Sequence, residues 1–239
     1  MATANIYDVS DCNSTHGYET TIDWIEDTHD NADGYIIKLG ETLSGVPTLD
    51  DNFVDNVNAA VKYNKPFGIY YVNHFLDDSI PEKEAQFVND TIYEYLGEDN
   101  KLFTLGIWAD LEVESTKNVE ADARVQTFLD TLIDWQSGNP GGLYGIYAGY
   151  SYFDSGYVSL ETIKEKGYLI WVAQYGYPVN SLLEENPDLE ENMKMWQFTT
   201  NDNTLDQSTM YNVWGGHLYE KYKSCKNRSN ILFFKPLKP

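Results

Sequence analysis

Thr104-Leu105-Gly106-Ile107-Trp108-Ala109-Asp110-Leu111-Glu112-Val113-Glu114 alternates with a period of two. Leu105, Ile107, Ala109, Leu111 and Val113 fall on one side of an extended chain, and Gly106, Trp108, Asp110 and Glu112 on the other. The first side is continuously apolar, whereas the second changes from small and aromatic to acidic. A buried strand has this pattern when its outer face packs on helices and its inner face runs up to a pocket at its C-terminal end. Asp110 and Glu112 then project side by side into that pocket. Two carboxylates held so close do not both ionise freely, so one keeps its proton to higher pH and serves as an acid while its neighbour stays charged. The competing reading is a solvated strand end in a chain rich in acids.

Outward from this stretch, short β-rich runs alternate with segments of helical period. Strands are expected at 5–9, 35–39, 67–72, 104–114, 143–148, 169–175 and 194–199, with an eighth near Leu205 to Met210. Helices are expected over 16–29, over 51–63 with Asp50 as N-cap, from Pro81 to a stop at Gly97, over 119–136, and more weakly over 160–166. Their stripes are regular: Phe53, Val57, Ala60 and Val61; Ala85, Val88, Ile92 and Leu96; Val125, Phe128, Leu129, Leu132 and Ile133. Repeated strand–helix alternation implies an α/β fold with a parallel sheet, and eight such runs imply one distorted (β/α) barrel, TIM-barrel-like. The helical signal fades after Gly142, so helical cover is expected to be incomplete in the second half. No linker composition divides the chain before about Gly215, which gives a catalytic barrel over 1–215 and a short basic C-terminal extension over 216–239.

The chain has 239 residues, long enough for a substantial core, and 15% of them are aromatic. There are 16 Lys plus Arg against 38 Asp plus Glu, a formal charge of −22, so a nucleic acid would be repelled rather than steered in. Six of the basic residues lie within Leu218 to Pro239. No apolar run reaches the length of a transmembrane helix. The first strand begins too early to leave room for a signal peptide, so either the chain is the mature form or export happens by another route. Cys12 and Cys225 either pair or remain free thiols, and no Cys/His spacing suggests zinc. No cofactor is required.

In a barrel, ligands meet the C-terminal strand ends. Those ends carry Asp8 and Ser10, Lys38 and Glu41, Tyr70, Asp110 and Glu112, Tyr147 and Tyr150, Trp171 and Gln174, and Gln197 ahead of Asp202 and Asp206. Acids and aromatics converge there, the equipment for glycoside hydrolysis: a carboxylic acid for the leaving oxygen, negative charge for a cationic transition state, and rings for sugars. The four histidines, His16, His29, His74 and His217, sit in no nucleophile context that would support Ser-His-Asp chemistry, and no loop has EF-hand spacing for a metal.

The ordered set Ile6-Tyr7-Asp8-Val9-Ser10, Gly68-Ile69-Tyr70-Tyr71, Trp108-Ala109-Asp110-Leu111-Glu112, Ile146-Tyr147-Ala148-Gly149, Leu169-Ile170-Trp171-Val172-Ala173 and Trp196-Gln197-Phe198-Thr199 resembles the glycoside hydrolase family 25 lysozymes, the Chalaropsis-type N-acetylmuramidases of bacterial autolysins and phage endolysins. The resemblance covers about residues 4–212. It implies a distorted barrel that cleaves the β-1,4 bond between N-acetylmuramic acid and N-acetylglucosamine in peptidoglycan, acting as a monomer without a metal or membrane, and either secreted or released to the cell wall, for instance by a phage-type, holin-dependent route. By the resemblance, Glu112 is the catalytic acid. Asp110 assists, by stabilising charge or by orienting the substrate's N-acetyl group, and Asp8 is the first-strand acid. Tyr70 and Tyr147 line the site. The late acid is Asp206, with Asp202 as competitor, because the residues after Asp206 depart from the family's usual run.

Several residues keep a second reading. Asp8 could cap a turn, Glu41 could form a loop ion pair rather than bind substrate, and Tyr70 and Trp171 could fill the barrel rather than touch sugar. For the whole chain, the alternatives are a catalytically silent glycan-binding barrel and a barrel glycosidase acting on chitin-type chains.

Overall fold

The β-rich runs become the strands of one closed sheet in the computed structural model, which describes residues 3–11, 24–75, 80–96, 101–135, 143–175, 189, 192–201 and 205–211. The strands are β1 (Thr3–Val9), β2 (Gly34–Leu43), β3 (Val46–Leu49), β4 (Phe67–Val72), β5 (Phe103–Asp110), β6 (Tyr144–Gly149), β7 (Leu169–Ala173), β8 (Met193–Asn201) and β9 (Leu205–Tyr211). Between them lie α1 (Trp24–Thr28), α2 (Phe53–Lys62), α3 (Pro81–Tyr95), α4 (Ala121–Trp135), α5 (Tyr150–Asp154) and α6 (Leu160–Lys166).

Neighbouring strands run in the order β1-β9-β8-β7-β6-β5-β4-β2, and the pairing of β1 with β2 closes an eight-stranded barrel. Within the barrel every pair is parallel except those made by β9, which runs antiparallel to both β8 and β1. A parallel pair needs a crossover of a dozen or more residues. Positions 202–204 alone separate β8 from β9, so β9 can only turn back. The expected eighth strand exists, but with this reversed direction.

Two further departures have local causes. The second strand does not stop at Gly40; it continues to Leu43 and folds back as a hairpin with β3. The turn is Ser44-Gly45, both residues with positive φ (51° and 75°), the combination that matches the twist of paired strands. In β5, Leu105 does not face the helices as the alternation predicts. Gly106 takes φ +88° and the β4–β5 register shifts there, which turns Leu105 inward beside Ile6 and Trp108.

Helix α2 is capped at Asn52 rather than Asp50, whose Oδ1 instead accepts the backbone N–H of Asn52 at 3.0 Å. Of the helix expected over 16–29, Trp24–Thr28 is observed, while positions 12–23, with Cys12, lie outside the described residues. So do Cys225 and the extension expected over 216–239. The second half carries the short α5 and α6, against 15 residues each in α3 and α4. No described helix is long and apolar enough to cross a membrane.

Apolar side chains form two shells. Outside the sheet, the stripes of α2, α3 and α4 pack with Ile37, Ile69, Ile107, Ala109, Ile146 and Val172, all fully or nearly fully buried. Inside, Ile6, Ile36, Leu105, Trp108, Trp171 and Met195 fill the barrel. Fully burying a side chain of this size stabilises the fold by about 1.5–3 kcal/mol. Trp108 needs a special neighbour: a Cβ added to Gly145 on β6 would lie 2.3 Å from its ring.

Candidate active site

Two residues further along six of the strands, the inward position changes from filler to functional group, whereas on β7 Trp171 is followed by Ala173. Ile6 gives way to Asp8 on β1, Ile36 to Lys38 on β2, Gly68 to Tyr70 on β4, Trp108 to Asp110 on β5, Gly145 to Tyr147 on β6 and Met195 to Gln197 on β8. On β9 the same step runs backwards, from Ser208 to Asp206, because that strand is reversed. The barrel thus has an apolar floor and a polar mouth, and the site follows from the period of two applied around a closed sheet.

The acids of the mouth are brought together. Asp8 and Asp206 are direct partners in the β1–β9 register. Asp110 is 2% exposed and its Oδ1 is buried with no hydrogen-bond partner among the described residues. Strand β5 ends at Asp110, so Glu112 stands just beyond it and is exposed, rather than lying on the strand as expected. Leu111 still donates to the Tyr147 carbonyl at 2.9 Å, which fixes how the chain leaves the barrel.

Each of these four carboxyls is driven toward its protonated form. Burial, followed by the charges of Glu112 and Asp8, raises the pKa of Asp110 well above the ordinary carboxylate value, with Lys38 opposing. Burial and Asp206 do the same to Asp8, against a hydrogen bond from Gln197. The protein crowded around the Glu112 carboxyl raises its pKa, helped by Asp206 and opposed by Lys38, and burial raises that of Asp206. The expected division, with Glu112 protonated and Asp110 charged, is therefore not set by these surroundings alone. Asp110, the deeper of the two, is pushed up as well.

The rim at β2 behaves in the opposite way. Lys38 Nζ, 7% exposed as a residue, lies 2.7 Å from Glu41 Oε1, 3.8 Å from Asp11 Oδ1 and 4.0 Å from Asp50 Oδ2. His74 Nε2 meets the other Glu41 oxygen at 3.0 Å. Burial would raise the Glu41 pKa, but the bonds from Lys38 and His74 prevail and lower it. Burial would likewise depress Lys38, yet Glu41, Asp11 and Asp50 together raise it. Asp50, buried beside the Asp11 carboxyl, is pushed up to about 7.

The aromatic residues divide by depth. Trp171 is 2% exposed, packs edge-on against Trp108 and donates its indole N–H to Ser208 Oγ at 2.9 Å. It belongs to the floor, so the expected sugar contact gives way to the barrel-filling alternative. Trp108 is floor too, its N–H bonded to the Leu105 carbonyl. Tyr147 lies over Trp171, with ring centroids 4.5 Å apart, and only its hydroxyl reaches the mouth. Tyr70 is partly exposed; burial, Asp8 and Asp110 raise its pKa well above the ordinary tyrosine value. Of the competing late acids, Asp206 stands beside Asp8 at the mouth, and Asp202 lies outside the described residues.

Three residues enter that had no assigned role. Lys38 is the cation reaching both halves of the mouth. Gln197 links Asp8 to Tyr147, and Tyr175, just past β7, bonds to the same Gln197. Lys38 and Gln197 were visible as polar residues at strand ends, but a sequence shows no bond between β8 and β1. Among the described residues, no group of three or more His, Cys, Asp or Glu is placed to hold a metal ion.

Solved structures share this architecture at low sequence identity. A muramidase from Trichobolus zukalii superposes with a TM-score of 0.65 at 17% identity, over 92% of this chain and 99% of that one. A lysozyme from Streptomyces coelicolor gives 0.63 at 16% identity, over 92% and 97%. The modular autolysin LytC from Streptococcus pneumoniae gives 0.62 at 21% identity over 87% of this chain; the match spans 47% of LytC, about half its length. None of the curated proteins compared with the chain matches it in sequence. The model of glycosyl hydrolases family 25, in contrast, matches residues 8–207, from the first-strand acid Asp8 to the residue after Asp206, and the chain therefore belongs to that family of glycoside hydrolases.

Proposed function

We propose that the protein is a peptidoglycan hydrolase of the lysozyme type, cleaving the β-1,4 bond between N-acetylmuramic acid and N-acetylglucosamine at the cell wall. The observation that carries this reading is the Asp110–Glu112 pair in a family 25 barrel: one carboxyl buried and one accessible, both with raised pKa. Glu112, reachable from solvent and inclined to hold a proton, donates it to the glycosidic oxygen as the C–O bond breaks. Positive charge then develops on the sugar ring. That charge favours the ionised form of Asp110, which stabilises the ring directly or orients the substrate's N-acetyl group; water then adds its oxygen to the sugar carbon and returns a proton to Glu112. Asp8 and Asp206 supply further negative potential, while Tyr70 and Tyr147 border the cleft and Glu41 contacts substrate at the rim. The pneumococcal autolysin has been solved with a synthetic peptidoglycan ligand, and another structure of this architecture is a phage endolysin domain, both in keeping with this reading.

Clearing of peptidoglycan suspensions by wild type and Glu112→Gln tests it, with mass spectrometry of the products. The expected result is muramic acid at new reducing ends and a loss of about 10²–10⁴-fold in the variant, the usual contribution of a general acid. Wild-type-like activity in Glu112→Gln would overturn the assignment. Absence of new reducing ends would favour a silent binding barrel, and preference for chitin chains the other glycosidase.

A further inference from the structure

Gln197 is 1% exposed and makes three side-chain hydrogen bonds in the mouth. Its Oε1 accepts from the Tyr147 hydroxyl at 2.7 Å and from the Tyr175 hydroxyl at 2.7 Å, and its Nε2 donates to Asp8 Oδ2 at 3.1 Å. An amide oxygen has two lone pairs, and both are taken. Turning the amide over would set an oxygen against the Asp8 carboxylate, two acceptors face to face, so its orientation and the charge of Asp8 are linked.

The surrounding backbone is built to hold this clamp. Gln174 donates to the Gln197 carbonyl at 3.1 Å and accepts the Trp196 indole N–H at 3.0 Å, which anchors the segment carrying Tyr175. The β8–β9 register shifts between Gln197 and Thr199, a bulge of the kind that re-aims side chains beside active sites.

We propose that Gln197 is a positioning residue that orients the Asp8 carboxyl and favours its charged form against the surrounding acids, with Tyr147 and Tyr175 as the clamp that aims its amide N–H. The need for such a donor comes from what faces Asp8: Asp206 on β9, Asp110 and Glu112 at the end of β5, and the hydroxyls of Tyr70 on β4, Tyr147 on β6 and Tyr175 beyond β7. Each is acidic or neutral, and none of them supplies a positive charge. The Gln197 N–H offsets part of that field by hydrogen bonding to the charged form. This rests on the reading of Asp8 as a site acid.

The test follows the Asp8 carboxyl by ¹³C NMR in protein labelled at aspartate, assigned by its loss in Asp8→Asn, alongside the pH profile of kcat/KM on wall glycan. Gln197→Met keeps the bulk and removes the donor. Its expected result is an upward move of the Asp8 titration by about one pH unit, the size of shift a local hydrogen bond produces, with the acid limb of kcat/KM moving the same way. Tyr175→Phe, at a half-exposed ring that folding tolerates, is expected to give a smaller move in the same direction. Unchanged titration in folded Gln197→Met, with activity merely lower at every pH, would show a space-filling residue and overturn the proposal. If that variant does not fold, an unmoved Asp8 in Tyr175→Phe overturns it instead. The titration needs no substrate, so a wild type that leaves wall glycan intact would sink the functional reading while leaving this measurement decisive.

Discussion

Glu41 and Asp110 stand at the same barrel mouth, yet their surroundings drive them in opposite directions. The Glu41 pKa is lowered and that of Asp110 is raised well above its ordinary value. Burial raises both, but Asp110 is 2% exposed and also faces Glu112 and Asp8, whereas Glu41 is only partly buried and is bonded by His74. The reach of Lys38 adds to the difference, since its Nζ is in contact with Glu41 at 2.7 Å but influences Asp110 and Glu112 only through space. One half of the mouth is thus a network in which Lys38 pairs with Glu41 and His74 hydrogen-bonds to it, and the other a group of acids with more carboxyls than charge to balance them. Among the described residues of the mouth, Lys38 is the cation that separates a paired acid from the crowded ones.

The largest test of that contrast exchanges the two halves. Glu112→Gln removes the acid that can donate, with the loss of about 10²–10⁴-fold expected of a general acid. Glu41→Gln removes an anion that is already paired, and its loss of kcat is expected to stay below about 10²-fold, the lower end of that range. Equal losses in the two variants, measured on the same wall glycan, would erase the distinction.

Removing the sorting charge should cost stability as well. Lys38→Met leaves Glu41, Asp11 and Asp50 without their shared cation, and breaking a buried ion pair from one side typically destabilises by about 3–5 kcal/mol. Denaturant unfolding measures this, and a loss near zero would mean that water already screens the network. A smaller effect is expected from Gly145→Ala, which changes no charge. The new Cβ meets the Trp108 ring, itself backed by Trp171, and overpacking of this kind costs about 1–3 kcal/mol. Because Asp110 lies two residues beyond Trp108, kcat should fall while the Lys38 network keeps its pKa pattern.

Most of this frame was legible in the chain because one rule, alternation along a strand, governs both fold and site. It places Asp8, Tyr70, Asp110 and Tyr147 on the inner face, each one step beyond an inward-facing filler or glycine. Failures occurred where the rule is locally broken. Leu105 was turned inward by a positive-φ glycine, and β3 arose from a Ser-Gly turn hidden behind an apparent strand end at Gly40. Trp171 shows a different limit: period gives the face of a strand but not depth, and depth decides whether an inward ring is floor or wall. The Gln197 clamp was illegible for a third reason, since its partners lie 50, 22 and 189 residues away and nothing local encodes them.

The smallest expected effect concerns protons at the edge of the paired half. Asp50, buried against Asp11, has its pKa pushed up to about 7. The folded protein therefore holds a proton that the unfolded chain releases in the ordinary carboxylate range. Folding binds more protons than unfolding across that window, so the stability from this group is full in acid and is lost as pH rises toward about 7. Asp8, Asp110 and the buried Glu84 push in the same direction, whereas Glu41, with its lowered pKa, contributes stability that is lost as pH falls. Asparagine removes the titrating proton and still accepts from the Asn52 N–H, but its amide N–H replaces the oxygen that accepts the Asp11 backbone N–H at 3.1 Å, so a pH-independent loss of stability accompanies the change. In Asp50→Asn, the fall of Tm between about pH 5 and pH 7 should flatten by a few degrees, about 1 kcal/mol corresponding to about 2–4 °C in a chain of this size. If Tm falls just as steeply in the variant, the proton resides elsewhere, and the boundary between the two halves of the mouth must be drawn on the Lys38 side of Asp50.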